Sequence, residues 1–231
     1  MTDNPRLKLL ELTNSSPAVN LNELSALPRS GLDQAIVELE EAELVTLSDG
    51  VLTMNCKQRV KLAEQLIHSG IDAKKVSRFL GWREFENFAE HILSENDFST
   101  CKHLVFKSSA GRREIDILAW NDTFTLAVDC KHWLGGLSSG RMKEAAEAQV
   151  ERATALARRP ELLHRLKIPR VNGRSIIPVI LALGELRDRL VDGVPIVSVS
   201  KLLSFIYDVS PIDSNLKRIR LLDSASQSRL A

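Results

Sequence analysis

Asp116, Asp129 and Lys131 are the residues of this 231-residue chain whose types and spacing could do chemistry; they fall in the stretch GRREIDILAWNDTFTLAVDCKHW, residues 111–133. A carboxylate and an ammonium two residues apart on a strand leave the sheet on one face, and Cys130 between them points the other way into apolar packing. With Asp116 on the partner strand of a hairpin, two carboxylates and one lysine surround one point. A hard divalent cation such as Mg²⁺ takes one or two carboxylates together with waters and phosphate oxygens. Bound there, it would polarise a phosphoryl group and position a hydroxide. Lys131, a point charge beside the carboxylates, would orient the attacking water or stabilise the charge that builds on a phosphorane-like transition state. Glu86, in WREFENFAEHIL, would add an acidic group from a helix, and Glu90, four residues on, competes for that role.

The elements that must position these groups are legible as periodicities. Ile115, Ile117 and Ala119 alternate with Asp116, Leu118 and Trp120, and Leu126, Val128 and Cys130 with Thr125, Ala127, Asp129 and Lys131. That is the two-residue period of strands, and Asn121-Asp122 between them is turn chemistry. Both faces carry apolar residues, as in a sheet covered by helices, so charges there need a reason. The alternative is an ordinary same-face ion pair on a solvated strand, worth about 0.2–1 kcal/mol. Upstream, Trp82, Phe85, Phe88, Ala89 and Ile92 predict a helix over 82–93 with one side on the sheet, and a further strand lies near Lys102 to Lys107. Lys107, Arg112 and Arg113 are expected in a loop just before Asp116, where Ser108, Ser109 and Gly111 let the backbone approach a phosphate. Downstream come a Gly/Ser loop at Gly135–Gly140 and a helix from Met142 to about Arg158. Ile176–Leu183 reads as a buried central strand and Pro195–Val199 as a shorter one. Leu202–Tyr207 begins a helix.

In these parts and their order the chain resembles the PD-(D/E)xK nuclease superfamily, in the branch of Mrr-type restriction enzymes and archaeal Holliday-junction resolvases. The resemblance covers roughly Gly81 to Leu183: the helix with Phe85-Glu86, the strand near 102–107, Asp116 in IDI, and Asp129-Cys130-Lys131 for the D/E-x-K element. It implies a restriction-endonuclease-like α/β fold, a mixed sheet flanked by helices, and an endonuclease dependent on Mg²⁺ or Mn²⁺. By the same resemblance Asp116 and Asp129 bind the metal with the Cys130 carbonyl as a further ligand, Lys131 is the catalytic lysine, and Glu86 assists or binds a second ion. Ile115, not proline, precedes Asp116. Gln149 lies where several branches carry a glutamine that touches the active site or the backbone, without the tyrosine that often follows it.

Composition sets the frame. At 44% hydrophobic residues the chain can bury a core. Its start has neither a long apolar run nor a small-residue cleavage site, so a soluble, cytoplasmic protein without membrane contact is expected. Three scattered cysteines, Cys56, Cys101 and Cys130, make neither a disulfide framework nor a zinc or iron–sulfur spacing. Residues 1–54 hold 3 Lys/Arg against 9 Asp/Glu, residues 55–131 hold 12 against 11, and residues 132–231 hold 16 against 10. The basic end therefore follows the proposed site, with Arg141, Lys143, Arg152, Arg158, Arg159, Arg165, Lys167, Arg170 and Arg174. Nucleic acid, DNA first, is the expected partner, contacted by Lys107, Arg112, Arg113, Gln149, Arg152, Arg158 and Arg159. A non-catalytic nucleic-acid-binding or regulatory protein on the same fold is the alternative. A resolvase would further require a homodimer.

Residues 1–54 read as a small winged helix-turn-helix domain: helices over 5–12, 21–27 and from Ser30, then a hairpin turning at Ser48-Asp49-Gly50. Its third helix is acidic, which suits a protein contact better than a phosphate backbone. Helices over 56–68 and 73–80 form an expected connector at 55–80, with Lys57, Arg59, Lys61, Lys74, Lys75 and Arg78 giving a basic surface, and 81–231 is the expected nuclease-like domain.

Overall fold

The chain folds as two units, Met1–Phe88 and Ala89–Ala231, in a computed structural model that describes residues 4–22, 29–133, 137–169, 174–184, 186, 190–209 and 214–221. In the first unit, Asn4 caps helix α1 (Pro5–Ser15) by accepting from the Leu7 amide at 3.1 Å, and Pro5 fills the first turn, where its missing N–H costs nothing. The helix runs three residues beyond the expected 12, and buried Thr13 returns its hydroxyl to the Leu9 carbonyl at 2.8 Å. Strand β1 (Ala18–Asn20) follows, then helix α2 (Arg29–Glu41) and the hairpin β2 (Thr46–Ser48) and β3 (Val51–Thr53), which form a three-stranded antiparallel sheet in the order β1-β3-β2. Asp49 and Gly50 link β2 to β3 with φ of +51° and +74°, the left-handed pair that a two-residue hairpin demands. The helix expected at 21–27 lies, from residue 23 on, outside the described residues.

Helix α3 (Cys56–His68) begins on a reciprocal capping box between Asn55 and Gln58, and Asp72 caps the short α4 (Ala73–Ser77). Arg59 of α3 is not part of a basic surface: it is buried and donates to Glu84 at 2.8 Å, to the Leu10 carbonyl at 2.9 Å, and to Thr13 and the Phe79 carbonyl. One guanidinium thus ties α1, α3 and the segment around 79–84 together. Glu84 lies in helix α5 (Trp82–Ser94), in whose course the boundary between the units falls. Trp82, expected to face the sheet, is exposed.

In the second unit, β4 (Ser99–Ser108), β5 (Gly111–Trp120) and β6 (Thr125–Lys131) form an antiparallel meander. Helix α6 (Ser139–Ala157) and the short α7 (Pro160–Arg165) lead to β7 (Ser175–Ala182), which pairs parallel to β6; β8 (Leu190–Val191), β9 (Val194–Ser198), helix α8 (Leu202–Asp208) and β10 (Ile219–Arg220) complete the described elements. The mixed sheet has the order β4-β5-β6-β7-β9-β8, with β10 also on β7. Helices flank it, so the coarse α/β expectation holds. Every residue of β7 is buried, as a strand between two neighbours with both faces covered must be. Pro178 breaks the rule against proline in a central strand, and its position explains why. On the side away from β6, β10 pairs with Ser175 and Ile176 and β9 begins at Ile180, so Pro178 falls between the two ladders. Of the sequence expectations, part of the loop at 135–140 and Arg170 lie outside the described residues.

The turn from β5 to β6 is held from two sides. Asn121 Oδ1 accepts from the amides of Thr123 (2.9 Å) and Phe124 (3.1 Å), the turn chemistry its type predicts. Arg174, immediately before β7, is buried rather than part of the basic surface. It donates to the carbonyls of Asn121, Asp122 (3.1 Å) and Phe124 (3.2 Å) and to Thr125 Oγ1 (3.2 Å). Arg174→Ala would strand these acceptors away from water. Urea unfolding of that variant should show a loss of about 1–3 kcal/mol, and an unchanged midpoint would mean the turn stands without the clamp.

Candidate functional site

The β5–β6 ladder pairs Ile117 with Val128 and runs to Trp120 with Thr125. Just beyond its open end, Asp116 uses its side chain as an acceptor: Oδ2 takes the Cys130 backbone N–H at 2.8 Å. The contact fixes the Asp116 carboxylate beside the Asp129-Cys130-Lys131 segment. Asp129 is 3% exposed, its Oδ2 lies 2.8 Å from Lys131 Nζ and its Oδ1 accepts from Arg152 Nη1 at 3.0 Å. Cys130 is buried, as the alternation requires. Asp116, Asp129 and Lys131 are therefore brought together as the sequence predicts.

Arg152 reaches Asp129 because α6 is pinned to the sheet by Gln149. The Gln149 amide is fully buried; Nε2 donates to the Ala127 carbonyl of β6 at 2.7 Å, and Oε1 accepts from Arg152 at 2.7 Å. Residues 149 and 152 are one turn apart and share a helix face. Both are expected on a nucleic-acid surface, and the family resemblance also has Gln149 touching the active site or the backbone. Gln149, without exposed area, serves the sheet, and Arg152, 25% exposed at its side chain, belongs to the carboxylate site. No motif marks the Gln149–Arg152 pairing in the sequence; the i, i+3 spacing of an amide and a guanidinium on an alanine-rich helix is its one local signal.

Asp116 also marks a break in the neighbouring ladder. β4 pairs Lys102 with Ile117 and Leu104 with Ile115, so His103 and Asp116 stand between these pairs, and His103 has a φ of +51°. Residues three apart on a regular strand face opposite ways. Yet Ile115 and Leu118 of β5, and Cys101 and Leu104 of β4, pack into one core with Ala127, Ala153 and Leu156. The alternation changes phase across His103 and Asp116. The His103 ring lies 3.3 Å from Glu114 on the exposed side. A left-handed histidine costs roughly 1–2 kcal/mol, so the surrounding pairs must impose it.

Lys107, Arg112 and Arg113 do not form a loop. The hairpin turns on Ser109 and Ala110 alone, with Gly111 at φ +101°, and Lys107 pairs with Arg112 on the two strands. Arg113 lies 3.8 Å from Glu151 of α6, and it shares a groove of about 500 Å³ with Ser108, Ser109, Thr154, Arg158 and Arg159. Arg158 is exposed there, whereas Arg159 also donates to the Lys107 carbonyl and to Glu161. Glu86 belongs to the first unit, where it is buried and its Oε1 accepts from Trp82 in the same helix. Its rival Glu90 is bound by Thr100 at 2.6 Å and lies 3.5 Å from Lys102. Partial burial lowers the pKa of His132, next to Lys131, below its ordinary value.

Among the described residues, no group of three or more His, Cys, Asp or Glu side chains stands ready to hold a metal ion. Asp116 and Asp129 form a pair of oxygen donors, which is the chemistry of Mg²⁺ or Mn²⁺ rather than of zinc. An ionised carboxylate has about four lone-pair sites. Two carboxylates are also the number such an ion commonly takes from a protein, so the residues fit it in kind.

No family model matches the chain. Among curated proteins, an uncharacterized protein of Archaeoglobus fulgidus is 32% identical over 128 residues, 54% of this chain and 88% of that protein. Among solved structures, the Vibrio cholerae protein VC1899 aligns with a TM-score of 0.41 at 14% identity, over 87% of this chain. The chain spans about half of that protein's length (49%). A protein of unknown function, AF1548, aligns with a TM-score of 0.35 at 14% identity, over 63% of this chain and 74% of that one.

The left-handed position makes its own test. His103→Val introduces a better strand former whose branched Cβ does not tolerate positive φ, so stability should fall by about 1–2 kcal/mol, whereas His103→Gly should cost little or nothing. Equal urea midpoints for the two variants would show that the backbone there is not constrained.

Proposed function

The chain belongs to the same family as the Archaeoglobus fulgidus protein, and from the site it carries we propose that it is a metal-dependent endonuclease of the PD-(D/E)xK superfamily, acting on DNA. The observation that carries this reading is the meeting of Asp116 with the Asp129-Cys130-Lys131 segment, through the 2.8 Å bond from the Cys130 amide to Asp116 and the 2.8 Å Lys131–Asp129 pair. A buried carboxylate and a lysine at the open end of a hairpin are costly for stability alone, because burying a charge is repaid only by its partners. The mixed sheet with flanking helices suits a restriction-endonuclease-like fold.

Asp116 and Asp129 would hold Mg²⁺ or Mn²⁺, with the Cys130 carbonyl as a further ligand, and the ion would polarise a phosphate oxygen and acidify a water. The chain's own residues do the rest. Lys131 is a fixed positive point beside the phosphate; it orients the attacking water and stabilises charge on the phosphorus oxygens. Water attacks phosphorus as the bond to the leaving sugar oxygen breaks. Arg113 and Arg158, lining the groove beside the β4–β5 turn, would hold the backbone of the strand. In the first unit, the three-stranded sheet and helices suit a winged helix. Its acidic balance, 3 Lys/Arg against 9 Asp/Glu in residues 1–54, suits a protein partner or a second copy of the chain.

A second reading has its own support. Asp129 already has a cation on each oxygen, an arrangement that a non-catalytic nucleic-acid-binding protein on this fold could keep without any metal. Incubating plasmid, single strands and a four-way junction with and without Mg²⁺ separates the two readings.

In that assay Asp116→Ala or Asp129→Ala should lower cleavage on the order of a thousandfold, the several kcal/mol that a metal ion supplies to the transition state, with DNA affinity in the absence of divalent metal retained. Lys131→Ala should lower turnover at saturating metal, since an ammonium has no lone pair to ligate the ion. Full activity in either aspartate variant would end the mechanism. Binding should also weaken steeply with salt, and replacing Arg113 and Arg158 together by Gln should flatten the slope of log affinity against log salt by about 1–2 units. An unchanged slope would take the groove out of the DNA path.

A further inference from the structure

Asp129 is held between two cations of different character. Lys131 sits two residues along the same strand and places its ammonium 2.8 Å from Oδ2. Arg152 comes from α6 on a long stem, a quarter exposed, and meets Oδ1 at 3.0 Å while Gln149 Oε1 holds the same Nη1 at 2.7 Å. Gln149 is itself fixed to the Ala127 carbonyl and does not depend on Asp129. The guanidinium can therefore leave the carboxylate and keep an anchor. Asp129 thus has one cation on each of its two oxygens.

We propose that Arg152 is a built-in counter-ion: it occupies the Asp129 carboxylate until a divalent cation takes its place, and then turns to a phosphate of the bound strand. The inference rests on the metal-dependent reading above. A divalent ion entering beside an arginine that still sits on its ligand oxygen meets repulsion at close range. A guanidinium released toward solvent is a planar fork suited to a phosphate's paired oxygens. Metal and DNA binding are then coupled through one side chain, and by linkage each must strengthen the other equally. With Arg152 on Oδ1 the buried carboxylate has a cationic partner from outside its own strand rather than being stranded.

Mn²⁺ binding to the full chain, followed by electron paramagnetic resonance of the free ion, tests this in the wild type, Arg152→Gln and Asp129→Asn. Arg152→Gln should bind Mn²⁺ at least about tenfold tighter than wild type, and Asp129→Asn should lose binding. An uncleavable phosphorothioate DNA strand should tighten Mn²⁺ binding in the wild type and have little effect in Arg152→Gln. Binding by Arg152→Gln no tighter than wild type, with Asp129→Asn still deficient, overturns the counter-ion and leaves the metal reading standing. Mn²⁺ binding indifferent to Asp129→Asn overturns both. In the wild type, where no variant has to fold, the Arg152 guanidinium resonances should shift across an Mg²⁺ titration; signals unmoved at saturation overturn the proposal.

Discussion

One ionised carboxylate buried in an otherwise apolar sheet sets the terms for the second unit. Asp129 lies on a strand whose residues from Thr125 to Cys130 are all buried, and a charge taken out of water there is tolerable only if neighbours replace its hydration. Lys131 can do so from the same strand. The other oxygen needs a partner from outside the strand, and α6 supplies it through Arg152. That helix must then sit in one register on the sheet, which the Gln149 bond to the Ala127 carbonyl enforces. The chain from Ala127 through Gln149 and Arg152 to Asp129 Oδ1 is hydrogen-bonded at every step, whereas Oδ2 has the Lys131 charge beside it but no hydrogen bond.

The sequence carried the local half of this. The two-residue spacing of Asp129 and Lys131, the apolar alternation of β5 and β6, the Asn121 turn and the apolar run of β7 all act within a few residues, and period and composition reveal them. The partners of Asp129 across space were not legible. For Gln149, only the family resemblance points to the active site or the backbone; Arg152 lies more than twenty residues downstream on a helix, and a basic residue near a basic tail looks like surface. Arg59 and Arg174 were misread for the same reason. Each is a guanidinium that satisfies several backbone carbonyls in the interior, a role five fixed donors allow and lysine does not match. Counting charge along a chain assigns all such residues to solvent. The strand positions of Lys107, Arg112 and Arg113 escaped because Ser and Gly near 108–111 signal a loop, while only two of those residues are needed to turn the hairpin.

Backbone conformation was the other hidden layer. A regular alternation predicts that Ile115 and Leu118 face opposite ways, yet they share one core. The phase change follows from one left-handed histidine opposite Asp116, and although histidine takes positive φ more often than most side chains, it does so too rarely for a lone one at 103 to announce it.

The same histidine has a consequence for solubility. Among the described residues β4 is the outer strand of its sheet, ten residues long, the place where another chain's strand can add to a sheet. A straight rim of that length is a template for intermolecular sheet growth and fibrils. With its middle residue in the left-handed region and Lys102, His103 and Lys107 exposed along it, the rim presents a broken and charged line that a second chain cannot zip onto. A substitution that straightened β4 would thus be felt first in crowded solution, as aggregation.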